Sequence, residues 1–357
     1  MACLCVDMYG GAARASEMSD PEKVPEFMTP SLQHLSGLMV YYAHDLTVCE
    51  RLLCVFRDYA EQFIAMLKRE QCLALFQASA DLLKSYSAHH CASRVVKRPM
   101  SSVENDLEEE QSYGDVLCAI QLLIHLGTKD FIDICTTNEE SGVDSSHVTN
   151  VIFLGLQQIL PLMTQGLLQF PNLCLQYFSL VGSMMDTYPD KVCELPYDLF
   201  RGLLDSLIFG MSHSNAFVSK SSLQGIGGIA REHLKNGALR NHLAGHADIF
   251  DACSHCLLQQ VVFQTIIWDR LEPAGMALLA LAAVDLAKFA AIITSIVPQF
   301  GSIEKQQRVQ AAFEQLMQPG VLSKVSSGGY EGRMNRLKFK KDFELFVRDI
   351  HSFLVIQ

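Results

Sequence analysis

Apolar residues in this chain recur at helical spacing almost from end to end, and the pattern stops and restarts after about 40 residues. The clearest unit runs from Ser145 to Tyr188. Its first face is Ile152, Leu156, Ile159, Leu160 and Met163, at i, i+4, i+7, i+8 and i+11. Asp144, Ser145 and Ser146 offer N-caps before that face, and Pro161 should kink or shorten the helix. Phe170-Pro171 opens a second helix with Leu173, Tyr177, Leu180, Val181 and Met184 on one side, and Tyr188-Pro189-Asp190 stops it. The unit then repeats. Phe200, Leu203, Leu204, Leu207, Ile208 and Met211 form one face, Ser214-Asn215 a turn, and Leu223, Ile226, Ile229 and Ala230 the next face. A single helix pair cannot bury both its faces, so pairs of this kind must stack.

The expected class is therefore all-α, a HEAT-like helical-repeat solenoid or α-α superhelix. Further helices are expected near 31–46, 46–68, 71–89, 113–126, 241–260, 273–298, 303–318 and 337–356. The boundaries read as an irregular segment over 1–30 and repeats over 31–320, with an acidic loop inserted at 91–111. A flexible connector follows over 321–336, and a capping helix closes the array over 337–357. Phe339, Phe343, Phe346, Val347 and Ile350 form the stripe of that last helix, with Lys338, Lys340, Lys341 and Arg348 off it. Strand signals are nearly absent, with no sustained Val/Ile/Thr alternation and no Asn-Gly hairpin turn.

Composition narrows the function. The chain is 49% apolar and 19% charged, values of a folded protein. A net charge of -11 argues against nucleic acid, whose phosphates need a basic face, and permits basic protein partners. Twelve Cys with no secretory leader at Met1–Gly11 read as reduced, intracellular thiols. Cys54, Cys118, Cys174 and Cys253 fall in apolar runs as small hydrophobes. The apolar run Gly275–Val297 contains Asp285 and Lys288, each costing roughly 2.5–3.5 kcal/mol at a bilayer centre. Two buried helices meeting near Val284 explain it better than membrane insertion.

No chemistry is expected of the sequence. Cys253-Ser-His-Cys256 with His242 and His246 resembles a metal cluster, but the candidates share one predicted helix, and zinc wants four convergent ligands. His89-His90-Cys91 reads as a helix end. Gly225-Ile-Gly-Gly228 lacks the strand and the Lys of a phosphate loop, and suits close helix packing instead. No spacing supports a catalytic triad, so neither an enzyme nor a cofactor is expected. The acidic stretch reads first as a solvated loop between helices; as a contact surface for a basic partner, its candidate residues are Glu104, Asp106, Glu108, Glu109 and Glu110.

Several segments resemble, in order, the exportin-4 family of nuclear transport receptors, in the importin-β class. They are Gln111-Ser-Tyr-Gly-Asp-Val-Leu117, Leu126-Gly-Thr-Lys-Asp-Phe-Ile-Asp133 and the most specific, Ile159-Leu-Pro-Leu-Met-Thr-Gln-Gly-Leu-Leu-Gln-Phe-Pro-Asn-Leu-Cys-Leu-Gln-Tyr177. Tyr188-Pro-Asp-Lys191, Leu195-Pro-Tyr-Asp-Leu-Phe200, Phe209-Gly-Met211, Phe343-Glu-Leu-Phe-Val347 and Phe353-Leu-Val355 continue it. The resemblance covers about residues 35–357 and corresponds to the C-terminal third of such receptors. It implies a fragment, a truncated gene model or a short paralogue. It also implies a HEAT-repeat array that exports protein cargo, translation initiation factor 5A among it, through nuclear pores with Ran-GTP. Nuclear pore proteins would be further partners, and the protein would shuttle between nucleus and cytoplasm. The alternative is a helical-repeat scaffold with no transport cycle.

Overall fold

Side-chain caps on Asp45, Asn215, Asp285 and Ser302 start helices along the chain, and Gly237 stops one. The computed structural model describes residues 2–14, 23–96, 113–135, 145–164, 166–264, 268–317 and 329–354. Every regular element among them is helical, so the class is all-α and built from helical repeats. The chain divides into two compact units, Met1–Leu180 and Val181–Gln357.

The first unit contains α1 (Ala2–Arg14), α2 (Lys23–Tyr41), α3 (Leu46–Phe63), α4 (Arg69–Val96), α5 (Gly114–Cys135) and α6 (Ser145–Ile159). Alternate helices make the largest contacts: α1, α3 and α5 form one layer, and α2, α4 and α6 the other. This is the arrangement a stripe on each helix demands, because every helix covers its neighbour two elements along. Asp45 caps α3, accepting from the N–H groups of Thr47 and Val48 at 3.1 and 3.3 Å. Leu52, Phe56, Tyr59 and Phe63 then point into the core, fully buried. α6 ends at Ile159, and Leu160–Leu162 tightens into a 3-10 turn around Pro161, as a proline without an N–H requires. α7 (Pro171–Thr187) follows, starting on its proline.

In the second unit come α8 (Pro189–Cys193), α9 (Tyr197–Met211), α10 (Ala216–Asn236), α11 (Arg240–Gly245) and α12 (Asp251–Phe263). After them lie α13 (Trp268–Val284), α14 (Leu286–Ile296), α15 (Ile303–Leu316) and α16 (Gly329–Leu354). Here α10, α13 and α16 stand side by side in one layer, α9 and α12 pack in the other, and α15 pairs with α16. The apolar run of residues 275–297 breaks at Asp285, which caps α14 by accepting from Lys288 N at 3.0 Å, and the two helices diverge by 118°. No single helix among the described residues is long and apolar enough to cross a membrane.

Close approach of α10 to α13 depends on the glycines read above as packing residues. A Cβ on Gly227 would sit 3.2 Å from the Ala277 Cα, and one on Gly228 3.3 Å from the Met185 carbonyl. Gly275 plays the same part against α16, where a Cβ would meet the Phe343 ring at 2.7 Å. Phe343 lies in an aromatic column with Phe339 and Phe346, and Phe313 of α15 closes it at 4.7 Å from Phe346. α10 ends at Gly237, whose φ of 73° only glycine adopts cheaply.

Three boundaries differ from expectation. Residues 1–30, expected to be irregular, carry α1 and the start of α2. α1 forms despite Gly10-Gly11 because Gly10 is buried, where a Cβ would lie 3.5 Å from Val55. α2 runs through Pro30 because Pro25, Met28, Leu32, Leu35 and Met39 make one buried face, which outweighs the lost hydrogen bond. The expected connector 321–336 is helical from Gly329 onward, with Gly332 buried, and residues 321–328 lie outside the described residues. α4 continues through Cys91–Val96, into the stretch expected as a loop, and 97–112 lie outside the described residues.

Two substitutions check this packing. Gly227→Leu should destabilise the chain by about 1–3 kcal/mol through overpacking against Ala277. Asn215→Ala should cost about 1 kcal/mol through the lost cap of α10. Urea unfolding followed by circular dichroism measures both, and Gly227→Leu at wild-type stability would contradict the close approach.

Candidate functional site: a cleft on the layer of α10, α13 and α16

The N-terminal turns of α10 and α13 and the middle of α16 border a cleft of about 700 Å³. Asn215 fixes the first of these turns, accepting from Phe217 N at 2.9 Å and Val218 N at 3.4 Å. With Val218 turned inward and fully buried, its neighbour Phe217 points outward. Trp268, the sole tryptophan of the chain, is the first residue of α13 and is 71% exposed. Leu223, Leu271 and Met276 floor the space between them.

Polar side chains tie the rim together. Arg270 Nη2 donates to the Ser214 carbonyl at 2.7 Å, joining α13 to the turn before α10. Lys340 Nζ of α16 lies 2.6 Å from Glu272 Oε2 of α13. That hydrogen bond holds the Lys340 ammonium above its ordinary range. The pair is largely exposed and contributes little stability, so it serves to orient the rim. Lys340 is therefore part of a cleft and not merely of a solvated outer face. The lining also carries Lys220 and Arg231 against Asp269 and Glu344, giving both signs of charge around an aromatic edge. Among the described lining residues none is His, Cys or Ser. Exposed aromatic and aliphatic side chains ringed by ions suit the contact core of a protein interface. The stripe Tyr330, Met334 and Leu337 on α16 adds exposed apolar surface to the same helix.

The residues singled out in the sequence are dispersed. His242 Nε2 pairs with the Cys193 carbonyl at 3.1 Å, and its ring stacks on Phe200. His246 stacks on Tyr197 at 3.6 Å. Cys253 is buried, and burial pushes its thiol up to about 12. Cys256 faces Ser212 and Gln260. Among the described residues no group of three or more His, Cys, Asp or Glu could hold a metal ion. His89 Nδ1 lies 2.8 Å from its own helix's Ser85 carbonyl, while the side chains of His90 and Cys91 lie outside the described residues. Glu104, Asp106, Glu108, Glu109 and Glu110 also lie outside them.

The sequence reading missed the cleft. Its parts come from Phe217, Trp268 and Lys340, each unremarkable within its own helix. A lone Trp directly ahead of an apolar helical run was the one signal available.

One histidine gives the second unit a pH response. Leu239 N donates to His233 Nδ1 at 3.2 Å, so the ring must be neutral there to accept. Burial, aided by the Arg240 charge, lowers the His233 pKa below its ordinary 6.5. The unfolded chain then takes up the proton first as pH falls, so stability is full above about 6.5 and declines below it. Thermal melts at pH 7.5 and 5.5 should show a smaller acid loss for His233→Asn than for wild type.

Residues 137–276 match a family model described as CRM1 C terminal, and the match spans α6 to the first half of α13. That family is a domain of transport receptors and not of enzymes. Over those residues the chain is similar to the CRM1 C terminal, a domain of exportin transport receptors.

Proposed function

We propose that the chain is a nuclear export receptor, or the C-terminal portion of one, which binds protein cargo in the presence of Ran-GTP. The observation that carries this reading is the match of residues 137–276 to the CRM1 C terminal. The stacked helix pairs and the mixed apolar and charged cleft support it, since they offer binding surface without a reacting group. Shuttling between nucleus and cytoplasm, with contacts to nuclear pore proteins, follows from the same reading. The exportin-4-like segments extend it to translation initiation factor 5A as cargo.

Transport by such a receptor requires only a coupling free energy. Cargo and Ran-GTP would each favour the same arrangement of helix pairs, and each would tighten the other's binding by one common factor. Such factors are typically about 5–150-fold. The acidic residues Glu104, Asp106, Glu108, Glu109 and Glu110 would steer a basic cargo, an effect that salt screens.

The test is retention of Ran by the immobilised full chain, with Ran loaded with GTP or GDP and with cargo present or absent. The expected result is at least about fivefold stronger retention of the GTP form, increased further by cargo. Equal retention of both forms would leave a helical-repeat scaffold without a transport cycle. Replacing the five acidic residues by Gln or Asn should weaken binding of a basic cargo and flatten its salt dependence, measured by titration at low and high ionic strength.

A further inference from the structure

α3 and α5 lie side by side in one layer of the first unit, and two thiols meet across their contact. Cys54 Sγ and Cys118 Sγ are 2.7 Å apart. A disulfide bond spans about 2.05 Å, so little movement separates the pair from bonding. A cation attends them. Arg57, one turn beyond Cys54, places Nη1 3.2 Å from Cys118 Sγ. The guanidinium is fixed by Asp58 Oδ1, 2.6 Å from Nη2, and by Gln121 Oε1, 3.2 Å from Nη1.

The two sulfurs are not equivalent. Cys118 is buried, and Cys54 is only partly buried. The hydrogen bond from Cys118 lowers the Cys54 pKa; burial opposes it, the Arg57 charge reinforces it, and Glu50 and Asp58 oppose it weakly. The same hydrogen bond, followed by burial, raises Cys118. By contrast, burial pushes Cys174 up to about 11, and burial first among its causes pushes Cys193 up to about 12. A thiolate is the form that reacts with peroxides, and the Arg57 guanidinium favours it at this pair. The more exposed Cys54 is the sulfur a peroxide reaches, with Cys118 placed to follow.

We propose that Cys54 and Cys118 are a hydroperoxide-sensitive modification site that closes reversibly into a disulfide. The Cys54 thiolate attacks one peroxide oxygen; the O–O bond breaks, and the other oxygen leaves as an alcohol, or as water from hydrogen peroxide, after taking up a proton. Cys54 is then a sulfenic acid. The Cys118 sulfur attacks it, the S–S bond forms, the S–O bond breaks, and hydroxide departs with the Cys118 proton as water. One peroxide gains two electrons, and each thiol loses one. A small thiol such as glutathione reverses the bond by exchange. Closure ties α3 to α5 and encloses residues 55–117, the acidic stretch Glu104–Glu110 among them, in one covalent loop.

The test uses the full chain, reduced, freed of reductant and exposed to graded hydrogen peroxide near pH 7, then mapped by mass spectrometry without reduction. Exposed Cys5 is the internal control. The expected product is a peptide pair joined through Cys54 and Cys118, about 2 Da lighter than the two thiol peptides and reversed by glutathione. It should form faster than Cys5 oxidises, because the Arg57 guanidinium beside the pair favours a thiolate there. Cys118→Ser should leave Cys54 as a sulfenic acid that dimedone labels, and Cys54→Ser should leave Cys118 unmodified. Absence of the joined peptide from the wild-type chain would overturn the proposal. So would oxidation of Cys54 no faster than Cys5, or pairing of either cysteine with a different one.

Discussion

A helix with an apolar stripe gains stability only where another helix covers it, and two helices of one pair leave half of that surface exposed. Stacking within layers is the constraint on which the rest of this structure rests. It shows most clearly where neighbours cross. Gly227 lets α10 approach the backbone of Ala277 on α13, and Gly275 lets α13 accept the Phe343 ring of α16. In the first unit Gly155 of α6 makes the same room for Leu123 of α5. Each close crossing lets large neighbours such as Leu207, Leu278 and Phe339 be fully buried, and that buried area is what offsets the entropy of ordering long helices.

The same stacking creates the surface that can act. Where α10, α13 and α16 lie side by side, their ends are capped and bridged by Asn215, Arg270 and the Lys340–Glu272 pair, and Trp268 and Phe217 are left outside. Rigid aromatic side chains on well-anchored helix ends lose little entropy on binding, which favours recognition of a protein surface. The match to the CRM1 C terminal covers the part of the chain that supplies α10 and the start of α13.

The helical class was legible because period 3.6 is written into nearly every segment. The pairs at 145–188 and 195–234 and the Phe339–Ile350 stripe lie close to where the spacing puts them. Pro161 and Asp285 broke helices because a missing N–H and a capping carboxylate act locally. What could not be read were features decided by tertiary contact. α1 is stabilised by burial of Gly10 near Val55, and α16 begins at Gly329 despite its glycines. The cleft joins residues that share no local pattern. Cys54 and Cys118 likewise looked like two more core thiols, because a sequence separation of 64 conceals a direct contact.

The central claim is that a stacked helical array binds protein partners through the layer of α10, α13 and α16. Hydrogen–deuterium exchange on the full chain, free and in the complex formed with Ran-GTP and cargo, tests it most directly. The account predicts slower exchange on binding at the first turns of α10 and α13 and around Lys340–Glu344 of α16, with α9 and α12 unchanged. Unaltered exchange in those three segments, with protection gained elsewhere in the complex, would contradict it.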